Sequence, residues 1–381
     1  MHLLFDARAY GQNNGLGRYT TMLLQYLIPL IRANGSIAKF TLLVDSHNQN
    51  LLEKFVDNKI LIVPVKSRWY STNEQFEIPR LINKFKPDLV HFPHLNAPLF
   101  CPASFIITVH DLTMTKFFNP ESSHWPKIIY SLKFLGLKFL TWWNVHRAKK
   151  IITVSNFVKN DLLATYHLNP KKITVVYEAT TPKKITEVKR AYPAILYVGA
   201  TYPHKRVYNL LTTVNKLLLD FPTLQFWLVV PDDSFTKKLK QTLTAEQLKF
   251  CHFFHNIDED FLNKLYQQSW IVVQPSESEG FGFQILEAWA NGTALACSNS
   301  SSLPEIAGEA AAYFPVGDIS AIIKTLKVLL TSEDARASLV LKGQERLQQF
   351  SWEKCAEQTL NIYQNANQKN TTLEKKDTEN G

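Results

Sequence analysis

The chain has 381 residues, 45% of them hydrophobic and 20% charged, enough apolar material for two cores of ordinary domain size. Forty-two basic against thirty-three acidic side chains leave a net charge of +9, which suits acidic partners such as nucleotides or anionic lipid. No long basic run, zinc-type spacing or RNP-like strand points to nucleic acid, and no apolar stretch is long enough for a spanning helix.

The opening MHLLFDARAYG has no basic run ahead of an apolar core, so a signal peptide is not expected. Short apolar runs then alternate with helical patterns. HLLFDAR, KFTLLVD, KILIVPV, DLVHFPH, SFIITVHDL, KKIITVS and ITVVYEA read as strands, nearly continuous in apolar character as buried parallel strands are. Helical patterns lie over 18–34, 74–85, 125–147 and 156–166. The polar, proline-bearing TTPKKITEVKRAYP, 180–193, reads as a linker between a first domain at 1–179 and a second at 194–350.

In the second domain the strands are AILYVGA, LQFWLVVP, CHFFHNI, WIVVQP, TALACSN and AAYFP. The helices fall at 207–221, 259–269, after Gly282, at 319–330 and at 334–350. A last helix covers 351–366, and the polar end, 367–381, is expected to be disordered. Cys101, Cys251, Cys297 and Cys355 lie far apart in or near apolar stretches, without a CxxC, and read as reduced core thiols of a cytosolic protein.

Strand and helix alternating in this way predict the α/β class: two Rossmann-like domains with a ligand cleft at the carboxyl ends of their sheets. Four loops there carry chemistry. Gly11 to Tyr19, with Gly15, Leu16 and Gly17, lets backbone amides approach a ligand at a helix amino end, or is a tight turn alone. His110 and Asp111 close the strand SFIITV and can position a hydroxyl, although His-Asp in a loop is common. Gly199 to Arg206 combines a glycine, a helix start and the cations Lys205 and Arg206, a seat for a diphosphate unless those charges are merely solvated.

The fourth loop is PSESEGFGFQILEAWANG. Glu279 precedes the Gly280-Phe281-Gly282 turn, and Glu287 stands inside the following helix. Carboxylates accept hydrogen bonds from the vicinal hydroxyls of a ribose or hexose, and the turn offers amides to phosphate.

The E-G-F-G-x4-E pattern, followed by SNSSSLPEIAGEAAAYFPVGD, resembles the donor-site signature of the retaining GT-B glycosyltransferases of family 4. The likeness extends through GLGRYT, EQFEIPRLINKFKPDLVHFPHLNAP, VHDLT, ITVSNFVKNDLL, ITVVYEA and LYVGATYPHKR, and is nearest to the mannosyltransferase-like branch that builds bacterial surface polysaccharides. It implies a nucleotide sugar, GDP-mannose or a UDP-hexose, on the second domain, and a saccharide or lipid-linked acceptor from the first. Glu287 would then bind ribose, Glu279 the transferred sugar, and Lys205 the diphosphate. The amides of Phe281 and Gly282 would lie near sugar and phosphates, with Gly280 and Phe283 beside them. Gly15 to Gly17 would close over the donor, and His110 would contact the sugar. No metal or other cofactor is implied, and the last helix returns to the first domain.

The sequence departs from the family's pattern in three places: PHKR where PRKN is usual, GFGFQILEAWANGTAL without its two prolines, and Glu178-Ala179 where NG is often found. Base and hexose therefore stay open, and a non-catalytic sugar-nucleotide-binding homologue is the alternative. WPKIIYSLKFLGLKFLTWWNVHRAKK, 125–150, mixes aromatic and basic residues and reads either as a surface for anionic membrane at the inner face of the cell or as a buried helix.

Overall fold

The computed structural model describes residues 1–12, 14–120, 126–185 and 192–367. The expected disordered end, the middle of the expected linker, and Trp125 fall wholly or almost wholly outside them. Contacts divide the chain into two units, one of Met1–Thr115, Ser131–Glu178 and Trp352–Gly381, the other of Lys116–Tyr130 and Ala179–Ser351.

In the first unit the described strands are β1 (His2–Asp6), β2 (Lys39–Asp45), β3 (Ile60–Val65), β4 (Leu89–Phe92), β5 (Phe105–Val109), β6 (Lys150–Thr153) and β7 (Ile173–Val175). They form one sheet in the order β3-β2-β1-β4-β5-β6-β7, parallel at every pairing. The strand order reverses between β1 and β4, and ligand crevices of open α/β sheets form at the carboxyl ends beside such a point. Helix α1 (Gly15–Ala33) follows β1 and α2 (Glu74–Phe85) follows β3. After β5 comes the short α3 (Thr113–Lys116), then α4 (Lys127–Arg147) and, after β6, α5 (Asn156–Tyr166).

At the end of β1 the Arg8 guanidinium lies 2.6 Å from Asp6 and 2.5 Å from Glu74, the first residue of α2, with all three side chains buried. The Asn96 amide donates to both Glu74 oxygens at 2.8 Å. Burial opposes the Arg8 charge, but the two carboxylates more than compensate and raise its pKa. Such a cluster ties α2 to the sheet only while all its members are present.

The second unit contains β8 (Ala194–Val198), β9 (Gln225–Val229), β10 (Cys251–Phe254), β11 (Ile271–Gln274), β12 (Ala294–Ser298) and β13 (Ala312–Phe314), ordered β10-β9-β8-β11-β12-β13. All pairings are parallel, and here the order reverses between β8 and β11. The helix expected over 207–221 is two short pieces, α6 (Val207–Leu211) and α7 (Val214–Leu218). Between them the Thr212 and Thr213 hydroxyls donate to the carbonyls of Asn209 and Leu210, three residues back, competing with the helical ladder.

Next come α8 (Ser234–Gln241), α9 (Glu259–Gln268), α10 (Phe283–Ala290) and α11 (Leu303–Ala307). The unit closes with α12 (Ile319–Thr331) and α13 (Glu333–Leu347). Asp233 caps α8 by accepting from the Thr236 amide at 2.8 Å.

The last helix, α14 (Trp352–Asn367), belongs to the first unit and packs on α1. Trp352, Cys355, Ala356, Thr359 and Tyr363 are buried along one helical stripe. The Tyr363 hydroxyl lies 2.5 Å from His91 Nδ1 on β4, anchoring the helix to the sheet. All four cysteines are buried free thiols. Arg8→Met, which strands two buried carboxylates, is expected to cost about 3–5 kcal/mol, measured as the change in urea unfolding free energy. A loss under about 1 kcal/mol would contradict this account of α2 docking.

Candidate functional site

In the second unit the loop after β11 carries Glu279, which is 9% exposed and held by three donors. Gln274 Nε2 and Ser276 Oγ donate to Oε1 at 2.6 and 2.7 Å, and Lys205 Nζ donates to Oε2 at 2.7 Å. A carboxylate has about four acceptor sites and an ammonium three donors, so both retain capacity for a ligand.

The serine run after β12 braces this loop. Ser298 Oγ donates to the Ser276 carbonyl, Ser300 Oγ to Glu277 at 2.7 Å, and Ser302 Oγ to Glu279 and Phe281 at 3.0 and 3.2 Å. Ser301 Oγ accepts from the Glu279 amide at 3.0 Å. Gly282 follows at φ +97, a left-handed value that a side chain would strain, and a Cβ there would press on Leu303 at 3.0 Å. It is the N-cap of α10 and brings no capping side chain to the helix amino end. Phe281 packs its ring between Phe283 and Phe350, both at 5.8 Å. Glu287, in α10, is buried and accepts from the Tyr266 hydroxyl at 2.6 Å.

The loop after β8 carries Lys205 and Arg206 to the start of α6. The Gly199 amide donates to Val229 in the sheet ladder at 3.0 Å, and the Lys205 and Arg206 amides close a 3-10 turn over Pro203–Lys205. Arg206, at φ +54, donates through Nε and NH2 to Glu277 at 2.9 and 2.6 Å. The loop ends at left-handed Arg206, the N-cap of α6, which begins at Val207 and receives no capping side chain from it. The Lys205 ammonium is what this loop brings to the reversal point.

In the first unit the carboxyl ends of β4 and β5 carry a second cluster. His110 Nδ1 lies 2.9 Å from Glu178 Oε1, and Nε2 lies 3.0 Å from the Pro93 carbonyl oxygen. Tyr19 meets the His110 ring edge-on at 4.6 Å. Asp111 accepts from the Thr113 amide, two residues on, at 2.7 Å. His94 Nδ1 lies 3.1 Å from the Tyr70 hydroxyl, and burial lowers its pKa to about 4, so this ring is neutral. Tyr70, His94, His110, Asp111 and Met114 help line a cavity of about 80 Å³.

In the glycine loop after β1, Asn13 lies outside the described residues. Asn14 caps α1 by accepting from the Gly17 amide at 2.8 Å. A Cβ on Gly17 would fall 2.2 Å from the Gln12 carbonyl oxygen, whereas Gly15 has open space and Leu16 is half-buried.

Two family models match the chain, Glycosyltransferase Family 4 over residues 13–183 and Glycosyl transferases group 1 over 179–346. O-antigen chain mannosyltransferase B of Escherichia coli is 26% identical over 299 residues, 74% of this chain and 75% of that protein. O-antigen chain mannosyltransferase RfbU of Salmonella typhimurium is 28% identical over 78% of this chain and 84% of its own. Sucrose-phosphate synthase from Thermosynechococcus elongatus superposes with a TM-score of 0.74 at 17% identity, covering 96% of this chain and 99% of that one. The chain is a GT-B glycosyltransferase related to those two families.

Of the sequence-derived site residues of this glycosyltransferase, the second unit joins Lys205 directly to Glu279, although 74 positions separate them. Glu287, Phe281 and Gly282 share the adjoining turn and helix, with Gly280 between the glutamate and that turn. Arg206 forms an exposed ion pair with Glu277. His110 and Asp111 lie together in the first unit, where both line the cavity and Asp111 Oδ1 accepts from the Thr113 amide.

Gln274, Ser276, Tyr266, Glu178 and the serine run were missed as site residues. The four serines within 298–302 were visible as text; that their hydroxyls meet the backbone of the acidic loop was not. Among the described residues no group of three or more His, Cys, Asp or Glu is arranged to hold a metal ion.

The open space at Gly15 and the closed space at Gly17 predict different outcomes for the glycosyltransferase. Gly17→Ala is expected to cost about 1–3 kcal/mol through the Gln12 contact, and Gly15→Ala to be neutral or stabilising by about 0.4–1 kcal/mol. Chemical denaturation of the two variants side by side checks this. Equal midpoints would overturn it.

Proposed function

We propose that this glycosyltransferase moves a hexose, mannose first among candidates, from its nucleoside diphosphate to a hydroxyl of a saccharide or lipid-linked saccharide in bacterial surface polysaccharide synthesis. The observation that carries this reading is the Glu279 carboxylate fixed by Lys205, Gln274 and Ser276 beside the amino end of α10. A fixed carboxylate suits sugar hydroxyls. An adjacent ammonium and helix dipole suit the phosphates. Glu287 is assigned to the ribose and His110 to the transferred sugar. The two O-antigen mannosyltransferases support mannose and a polysaccharide product.

Bond breaking between C1 and the phosphate oxygen places negative charge on the departing diphosphate, and Lys205 with the amide end of α10 would stabilise it. Glu279 is a poor candidate for a nucleophile, since three donors already occupy its oxygens. We therefore assign same-face attack, with a leaving phosphate oxygen accepting the acceptor's proton and the product an α-glycoside.

Purified protein with GDP-mannose and a UDP-hexose panel tests the donor, and NMR of the product tests its anomer. Lys205→Ala is expected to lower kcat by about 10²–10³-fold, the scale of losing one preorganised charge stabiliser. Glu279→Gln is expected to lower kcat at least tenfold, and a β-linked product would reject the mechanism. Binding of sugar nucleotide without turnover would favour the non-catalytic alternative.

The α4 surface supports a membrane acceptor. Ile128, Leu132, Leu135, Phe139 and Trp142, spaced alternately four and three apart, are all exposed, Ile128 by 77%. The far end of the helix docks through Asn144 to the Leu95 and Ala97 carbonyls and Trp143 to Leu99, and Thr141, Asn144 and Val145 are its buried residues. The buried-helix reading of 125–150 thus fails for most of its length. No described helix is long and apolar enough to cross a membrane.

We assign the stripe, with Lys127, Lys133 and Lys138 on the same helix, to an anionic bilayer surface. Flotation with phosphatidylglycerol vesicles is expected for the native protein and not for Leu132→Glu/Leu135→Glu. Equal flotation of both would reject the assignment.

A further inference from the structure

We propose that Glu178 is a positioning residue that keeps His110 doubly protonated and fixes the plane of its ring at the carboxyl end of β5. The inference rests on the assignment of His110 to the transferred sugar and names what sets the state of that ring.

The hydrogen-bond geometry carries it. His110 Nε2 faces the Pro93 carbonyl oxygen at 3.0 Å, and a carbonyl only accepts, so this nitrogen holds a proton. A neutral ring would then turn a bare Nδ1 lone pair toward the Glu178 carboxylate 2.9 Å away. A second proton on Nδ1 turns that repulsion into a charge-assisted hydrogen bond. Glu178 is only 2% exposed, so without the imidazolium it would be a buried anion.

The groups packed around the pair leave that assignment in place. His91, on β4, has its pKa lowered by burial to about 3, and His94, in the same segment, to about 4, so both are neutral at pH 7. Tyr19 on α1 and Cys355 and Tyr363 on α14 have their pKa values raised by burial, so they are neutral as well. Asp111 adjoins His110 on the chain and adds a favourable charge. Burial alone would discharge His110; the Glu178 bond and charge, the Pro93 carbonyl and Asp111 outweigh it, and the ring's pKa rises above its ordinary value. The ion pair is therefore fully present below the ordinary histidine pKa and is lost as pH climbs through the raised one.

With both nitrogens donating inward, His110 neither takes a proton from the acceptor nor receives a hydroxyl hydrogen bond. It offers substrate the positive carbon edge of a fixed ring. Glutamate in place of the NG turn's asparagine supplies the charge that an amide would lack.

Nitrogen-15 NMR of the full-length protein at pH 7.5, with the His110 signals assigned from their loss in His110→Gln, reads the state directly. Both ring nitrogens are expected at imidazolium shifts in the native protein. In Glu178→Gln, whose amide can donate to a bare Nδ1, one nitrogen should be unprotonated. A bare nitrogen in the native protein would overturn the proposal.

With GDP-mannose as donor, the alkaline limb of kcat is expected to move down by at least one pH unit in Glu178→Gln, with KM changed less than twofold. Glu178→Asp should restore part of the shift. An unmoved limb would also overturn the proposal. The NMR result needs no turnover, so an imidazolium signature in a protein inert toward GDP-mannose would count against the proposed function and leave this inference standing.

Discussion

A carboxylate withdrawn from water has to be given donors, and at Glu279 three residues from two segments supply them. Gln274 ends β11, Ser276 comes from the loop after it, and Lys205 comes from the loop after β8. These segments meet because β8 and β11 are neighbours across the point where the sheet order reverses. The serine run after β12 then fixes the path of the intervening backbone. Burial makes each bond stronger and each missing bond more costly, so the acidic loop is rigid for the same reason that it is functional.

The first unit solves the same problem differently. Around Arg8, one cation serves two carboxylates and an amide joins them, which secures α2 without any exposed group. Around His110, the cation is titratable, and one carbonyl and one carboxylate between them decide its protons. The cation of the first cluster is a guanidinium, which does not titrate across the physiological range; the imidazole of the second does.

The parallel strands were legible because strands covered on both faces are almost wholly apolar, and HLLFD, FIITV and IVVQ each fall within a predicted run. Glu279, Glu287 and Lys205 were legible as residue types at loop positions, but their contacts join positions remote in sequence. The helix start after Gly199 to Arg206 was legible, but the 3-10 turn over Pro203–Lys205 and the left-handed residue at position 206 were not, because periodicity does not register them. The break between α6 and α7 depends on threonine hydroxyls turning back onto the ladder, a choice that composition does not reveal. Residues 125–150 left burial and exposure open, although the spacing of 128, 132, 135, 139 and 142 already defined one face. Glu178 was seen as a departure from a pattern, and only its distance to His110 gave the departure a meaning.

The return of α14 to the first unit has a consequence for biosynthesis. Residues 179–351, which make up most of the second unit, are one uninterrupted stretch, whereas the first unit receives the helix that covers α1 only from the last part of the chain. On the ribosome, the half made first must therefore wait with part of its apolar surface bare while the half made later can already close. A polypeptide cut short before Trp352 would leave the earlier half, not the later one, as the species that needs a chaperone.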